Sequence, residues 1–335
     1  MESLSVAERH YKAIDAGIDQ FGGNNDMGPV LEAYKMGVEE HGEAYMKERF
    51  ELSAIRLLRN IFRVGLFDNP YLEPGKTAEI VGNSEYMKAG FEAQLRTVIM
   101  LKNQQQTLPL EKQLKVYIPQ RHIPASSSWF GRQSPERWVD AFSKEIVSKY
   151  FVLVETPEEA DFSLLGIQNP DGGTGYDITE VEQGGNGYVP ISLQYGPYKA
   201  EYARETSIAG GSPFEDFTNR SYKDKTTTAA NIADMKLLLE TRKQMGDKPV
   251  VVVVNVSKPM VFSEIEPAAD AILVHMGVQD QALMDLISGA VEPSALLPFQ
   301  MPATMQTVEE QFEDVPRDMQ SYTDSEGTRM TLHTD

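Results

Sequence analysis

The 335-residue sequence contains no cysteine. That excludes disulfides, a thiol nucleophile and every cysteine-ligated metal site, and it leaves the redox compartment open. Positive charge is also scarce: 31 Lys and Arg face 50 Asp and Glu, a formal charge of −19. Nucleic acid and anionic membrane surfaces would be repelled, so neither is expected as a partner. No apolar run approaches the ~18 residues of a membrane span, and the opening MESLSVAERH is too polar and acidic for a signal peptide. The 5 histidines are scattered without metal spacing. The runs Gly172–Gly175 and Gly184–Gly187 match neither a dinucleotide fingerprint nor a Walker loop, and no G-x-S-x-G elbow occurs. No cofactor and no metal is therefore expected.

What is present is an ordinary globular composition, 41% hydrophobic, enough for one large core or two smaller ones. The chain is organised around Lys248 to Pro302. Val250 to Val254 is an unbroken β-branched run, as a strand needs when both faces are covered by helices. Ala271 to His275 reads as a second such strand, reached by a short crossover within Ser263 to Ala269. Asp280 to Ser288 then places Leu283, Leu286 and Ile287 on one helical face, with Gly289 as the stop. Strand, crossover, strand, helix is the repeating unit of a doubly wound sheet.

The text of that stretch, KPVVVVV followed by ADAILVHMGVQDQALMDLISGAVEPSALLPFQMP, resembles the end of the second domain of glycoside hydrolase family 3, the β-glucosidase and β-xylosidase family. RLLRNIFRVGL at Arg56 to Leu66 and QLRTVIMLKNQQQTLPL at Gln94 to Leu110 are similar to the family's helix after the barrel and its entry to the second domain. The resemblance implies an α/β protein: a three-layer α/β sandwich with a mostly parallel sheet, preceded by a helical remnant of a (β/α)8 barrel. It implies retaining hydrolysis of substrates ending in a β-linked glucose or xylose. The family's nucleophile, an aspartate in an "SDW"-like motif, would lie upstream of residue 1. The chain is then expected to contribute the acid/base side of the site and to be inactive or weakly active without a barrel. The alternative is a non-catalytic carbohydrate-binding or scaffolding module. Family members are often periplasmic, secreted or cytoplasmic, so no compartment is assigned.

In order, residues 1–66 read as the barrel remnant: a helix over Ser5 to Ala16, a short strand over Gly17 to Gly23, and a long helical region from Pro29 to Phe62. Ala54, Leu57, Leu58 and Ile61 line one face of that region, and without a barrel neighbour such faces predict self-association or a separate barrel chain as partner. Residues 67–110 are a linker and connecting helix, the helix running Ser84 to Lys102. The sandwich is assigned to 111–302, with strands over Lys115 to Ile118, Phe151 to Val154 and Phe162 to Ile167. Ser134-Pro135 reads as the start of a helix burying Trp138, and Thr156 to Glu159 has capping-box spacing. Residues 169–225 form an insertion too long for a passive connector, with only Val189 to Leu193 strand-like. Thr228 to Gln244 returns to a helix, and the acidic tail 303–335 is expected to carry little structure.

A retaining glycosidase needs two carboxyl groups ~5–5.5 Å apart. By resemblance the acid/base glutamate follows the strand ending at Ile167, where this chain has Gln168 and Asn169. The carboxylates of the insertion are therefore the candidates: Glu215 first, because FEDFTNRSY resembles the family's acidic stretch before the next helix, then Glu205, Glu182 and Glu201. Trp129, in a Ser-rich loop after a strand, is the preferred sugar platform. Tyr195 and Tyr198 are also candidates for substrate contact, alongside Tyr188, Tyr202, Phe214 and Phe217. Equally, these rings can pin the insertion to the sheet.

Overall fold

The computed structural model describes residues 4–23, 25–127, 133–205, 220–312 and 318–330. Two compact units are present, one ending at Asn83 and the other starting at Ser84. The first is helical: α1 (Val6–Asp15), α2 (Gly28–His41), α3 (Glu43–Arg63) and α4 (Pro74–Ile80). Ser5 and Glu8 close a capping box on α1. Gly42, at φ +88°, divides the expected long helix into α2 and α3. Arg49 ties the unit together, donating from Nε to the Ile14 carbonyl (2.8 Å) and from its Nη atoms to Ile18 O (3.0 Å) and Asp19 (3.2 Å). Hydrogen bonds from Ser53, Arg49 and Arg56 hold the Asp19 carboxyl below the usual range, against the opposing effect of burial. The segment Gly17 to Gly23 is not a strand.

The second unit is built on a six-stranded sheet. Its strands are β1 (Ile99–Asn103), β2 (Lys115–Tyr117), β3 (Val152–Val154), β4 (Phe162–Gln168), β5 (Val250–Asn255) and β6 (Ala271–His275). Spatial order is β1-β6-β5-β4-β2-β3, all parallel except β1, which runs antiparallel to β6. Helix α5 (Ser84–Leu95), α6 (Lys144–Val147) and α9 (Asp280–Ile287) cover one face; α8 (Ile232–Met245) covers the other. A helix α7 (Ile178–Glu182) lies in the insertion. The period-2 alternation of a strand divides β5 between the two cores, Val250, Val252 and Val254 toward α8 and Val251 and Val253 toward α9. All five are buried, and each stabilises the fold by about 1.5–3 kcal/mol relative to exposure.

Several expectations are corrected. The helix placed over Ser84 to Lys102 stops at Leu95, because Val98 and Ile99 are β-formers that find the open edge of β6. The helix expected from Ser134 is absent: Arg137–Val139 pairs as a strand with Arg121–Ile123, and Trp138 is 64% exposed rather than core. The Thr156 to Glu159 spacing yields only a turn. The tail is ordered where described: α10 (Met305–Glu310), then residues 318–330 folding back through bridges Pro302–Ser321 and Thr323–Arg329, with Met330 in the core.

Candidate functional site

From β2 the chain steps outward to β3, then returns across β2 to β4 and continues to β5 and β6. The winding therefore reverses between β2 and β4. Beyond the carboxyl ends of strands at such a point is where open α/β sheets bind ligands. Here Arg121 follows β2 and Gln168 ends β4. Arg121 grips Asp234 of α8 with both prongs, Nε to Oδ1 at 2.6 Å and Nη2 to Oδ2 at 2.8 Å, and Nη2 also donates to Gln168 Oε1 at 3.0 Å. Asp234 is fully buried on the stripe shared by Leu238, Thr241 and Met245. A buried carboxylate needs such partners.

Asn231 stands at the start of α8 but does not cap it. Its Nδ2 donates to Asn169 O (3.1 Å) and Asp234 Oδ2 (2.9 Å), while its Oδ1 accepts from the Asp171 backbone N–H (2.7 Å). Asn169 is itself buried, its Oδ1 accepting from Ser257 N (2.8 Å) and Oγ (3.3 Å). These amides hold open a cavity of about 310 Å³ lined by Gln168, Asn169, Asp171, Asn255, Ser257 and Lys258. The carboxamides of Gln168 and Asn169 do not exchange protons at neutral pH, so neither can serve as a general acid or base. Asp171 is the carboxylate on this cavity's wall, and sequence reasoning passed over it.

The proposed residues fall in different surroundings. Glu215 and Trp129, with Phe214 and Phe217, lie outside the described residues. Glu182 is exposed at the end of α7. Glu205 is 82% exposed and paired with Lys223 at 3.1 Å, and Glu201 is exposed beside Lys199 at 3.4 Å. Tyr195 is buried, its hydroxyl donating to the Gln168 carbonyl and its backbone N–H to Glu264 Oε2 at 2.5 Å. Burial and the nearby Asp234 charge push its phenol well up. Tyr198 is likewise buried, donating to Glu309 Oε1 at 3.1 Å. The two rings hold the insertion to the sheet and to α10. Lys225 fastens its other end, reaching Glu180, Asn186 and the Tyr188 carbonyl.

The one local signal for the site was Asp234, an acid on the helical stripe that carries Leu238 and Met245. Arg121, Gln168 and Asn231 meet it only through the topology. Among the described residues no cluster of His, Asp and Glu is spaced to hold a metal ion, and no helix is long and apolar enough to cross a membrane.

The fold is a three-layer α/β sandwich whose polar cavity lies at the carboxyl ends of a mostly parallel sheet, the place where open α/β sheets take ligands. The family model for the glycosyl hydrolase family 3 C-terminal domain matches residues 98–330, and the chain belongs to that family. It is 28% identical over 319 residues to the probable beta-glucosidase C of Aspergillus flavus, covering 95% of this chain and 40% of the relative. It is 25% identical over 318 residues to the periplasmic beta-glucosidase/beta-xylosidase of Dickeya chrysanthemi, covering 95% and 38%. The structure of a beta-glucosidase from Listeria innocua has the same fold, with a TM-score of 0.51 at 16% identity over 97% of this chain and 44% of that one. The chain thus spans about two-fifths of the length of the curated relatives it matches.

Proposed function

We propose that the chain is the C-terminal portion of a retaining β-glucosidase acting on substrates that end in a β-linked glucose or xylose. The observation that carries this is the match to β-glucosidases along 95% of this chain and only 40% of theirs. The portion of the relatives outside the match is where we place the barrel and its nucleophilic aspartate. This chain then supplies the general acid/base from the insertion: Glu215, with Glu205 and Glu182 as the next candidates, and Trp129 as the sugar platform. Glu205 and Glu182 are exposed, as a group must be before a second domain closes over it. Separation of the two carboxyls would be ~5–5.5 Å in the assembled site.

Ile55, Leu58 and Phe62 are exposed along one side of α3. On this face we place the barrel, and a chain lacking one should self-associate; light scattering on the purified chain checks this.

The test is hydrolysis of 4-nitrophenyl β-glucoside by the chain alone and by the chain mixed with a barrel portion prepared from the Aspergillus flavus relative. Turnover only in the mixture, lost with Glu215→Gln, is expected. Turnover by a clean monomer overturns the division of the site. Turnover in the mixture that Glu215→Gln leaves intact, while Glu205→Gln or Glu182→Gln abolishes it, moves the acid/base role to that residue. No turnover in either arm overturns the proposal in favour of a non-catalytic carbohydrate-binding module.

A further inference from the structure

Asn186-Gly187 is the one Asn-Gly pair in the sequence. It lies in the insertion just after α7, where Gly187 is buried at φ +82°. A Cβ on Gly187 would sit 2.5 Å from Tyr176 Cε2 and 2.7 Å from Val181 Cγ2, so packing and backbone conformation both require glycine. Without a side chain beside it, the Gly187 nitrogen is unshielded, and closing a ring onto the Asn186 side-chain carbonyl needs no atom from elsewhere.

Two side chains and one backbone amide surround this pair in the arrangement that an acyl transfer needs. The Gly187 N–H donates to Glu180 Oε2, so the proton of the nucleophile already points at a carboxylate. Asn186 Oδ1 accepts from the Lys225 ammonium at 2.5 Å and from the Tyr188 N–H at 3.1 Å. Both donors thus meet the oxygen on which negative charge develops as the amide carbon becomes tetrahedral. The amide nitrogen that would leave, Nδ2, donates to the Ser221 carbonyl at 2.8 Å. Lys225 is fixed in place by Glu180 Oε1 (2.5 Å) and the Tyr188 carbonyl (2.8 Å).

Protonation states decide which bond can form. Hydrogen bonds from Lys225 and from the Gly187 N–H hold the Glu180 carboxyl below its usual range, so it stands as an acceptor for the Gly187 proton. Lys225, spending its protons on three oxygens, has no lone pair with which to attack the amide itself. The nucleophile is then the Gly187 nitrogen, and Lys225 is the charge that receives the oxyanion.

We propose that Asn186 is a self-modification site, at which Glu180, Lys225 and the Tyr188 N–H promote cyclisation of the side chain onto the Gly187 nitrogen and conversion to a mixture of aspartate and isoaspartate. In the first step the bond from Gly187 N to Asn186 Cγ forms and the Gly187 proton passes to Glu180. The Cγ–Nδ2 bond then breaks, and Nδ2 leaves with that proton as ammonia. Water adds to either carbonyl of the resulting succinimide and opens it, so nothing but water is consumed. Either product puts a new carboxylate where Lys225 already serves Glu180, and neither can donate to the Ser221 carbonyl as Nδ2 does. The modification therefore undoes a tie between the loop after α7 and the chain at Ser221. It uses only groups of the insertion and does not rest on the glycosidase assignment.

The experiment follows the intact mass of the purified chain at neutral pH, together with the proteolytic peptide that contains Asn186. The chain is held folded and, as the unassisted reference, unfolded in guanidinium chloride. Folded chain should convert at least about tenfold faster than unfolded chain. Lys225→Met removes the charge from Oδ1, and Glu180→Gln removes the carboxylate that takes the Gly187 proton. Each should slow the folded chain about tenfold, less than the ~10²–10³ of a water-excluded oxyanion hole, because water reaches this one. Circular dichroism shows which variant is folded, and where neither is, the comparison of folded with unfolded parent chain decides. Conversion no faster in the folded than in the unfolded chain, or a rate unchanged in a folded variant, overturns the proposal. So does a loss of ammonia that water does not reverse and that joins the Asn186 and Lys225 peptides, which would make the lysine the nucleophile.

Discussion

The ammonium of Lys102 lies 2.6 Å from Glu266 Oε1, and both side chains are only 1% exposed. Lys102 is on β1, opposite Ile272 near the start of β6, so the pair sits at the end of the sheet away from the cavity. Tyr322 and Ser325 complete it, donating to Glu266 at 3.0 and 2.8 Å. One carboxylate thus adds a buried tie between the core and residues 322–325 of the tail, beside the tail's backbone bridges and Met330. Breaking a buried pair from one side costs about 3–5 kcal/mol, because the surviving charge has no partner. Glu266→Ala should lower the unfolding free energy measured by urea titration by that amount. Lys102→Met with Glu266→Gln, which keeps an acceptor for the two hydroxyls, should recover most of it. Equal losses in single and double variants would show that the charge pair is not the source.

The same carboxylate sets a pH dependence. Burial pushes the Glu266 pKa up, but hydrogen bonds from Lys102, Ser325 and Tyr322 and the Lys102 charge outweigh it, and the net shift is downward from 4.5. The folded state therefore holds its carboxylate where the unfolded chain is already taking up a proton. The resulting stability is present above the unfolded value and is lost as pH falls through the folded one. Acid unfolding of Glu266→Gln should be shallower below about pH 4.3 than that of the parent chain, which circular dichroism at a series of pH values measures.

His275 acts with the opposite sign. Burial lowers its pKa below 6.5, although Asp280 pulls it upward. Protonation would also place a hydrogen on Nδ1, against the backbone N–H donors of Gly277 and Val278. The unfolded chain thus binds this proton first as pH falls, and stability should decline from about pH 6.5 downward until the folded pKa is passed. His275→Gln should flatten that part of the thermal midpoint profile between about pH 7.5 and 5. An unchanged slope would mean that the ring takes up its proton at the same pH in the folded and unfolded chain.

The sheet was readable in the sequence because strands buried on both faces need no polar alternation: Val250 to Val254 and Ala271 to His275 announce themselves. Edge elements lack that property. Ile99–Asn103 follows a helical pattern without a break, and its strand state comes from pairing with β6. Ser134-Pro135 carries genuine helix-start chemistry, which the cross-strand pairing of Arg137–Val139 with Arg121–Ile123 overrides. The tail owes its order to long-range partners, among them Glu266, more than fifty residues earlier in the chain. The insertion displayed its carboxylates and aromatic rings plainly, but residue type cannot report that Tyr195 is buried while Glu205 is exposed. The polar network at the switch point needed the topology first, since Arg121, Gln168, Asn231 and Asp234 come from three separate elements.

That network makes the last prediction. Arg121 reaches Asp234 as a fork and also holds Gln168, so a lysine there keeps the charge and loses the geometry. Arg121→Lys should cost about 1–3 kcal/mol through the hydrogen bonds it cannot form. Asp234→Asn, which leaves the buried guanidinium uncompensated, should cost about 3–5 kcal/mol. Both changes loosen the junction of β2 and β4, so amide hydrogen exchange should accelerate at residues 118–123 and 166–171 before it does in Val250–Asn255. Exchange rising uniformly across the sheet would mean the fork supports global stability alone, and that the carboxyl edge does not rely on it for its shape.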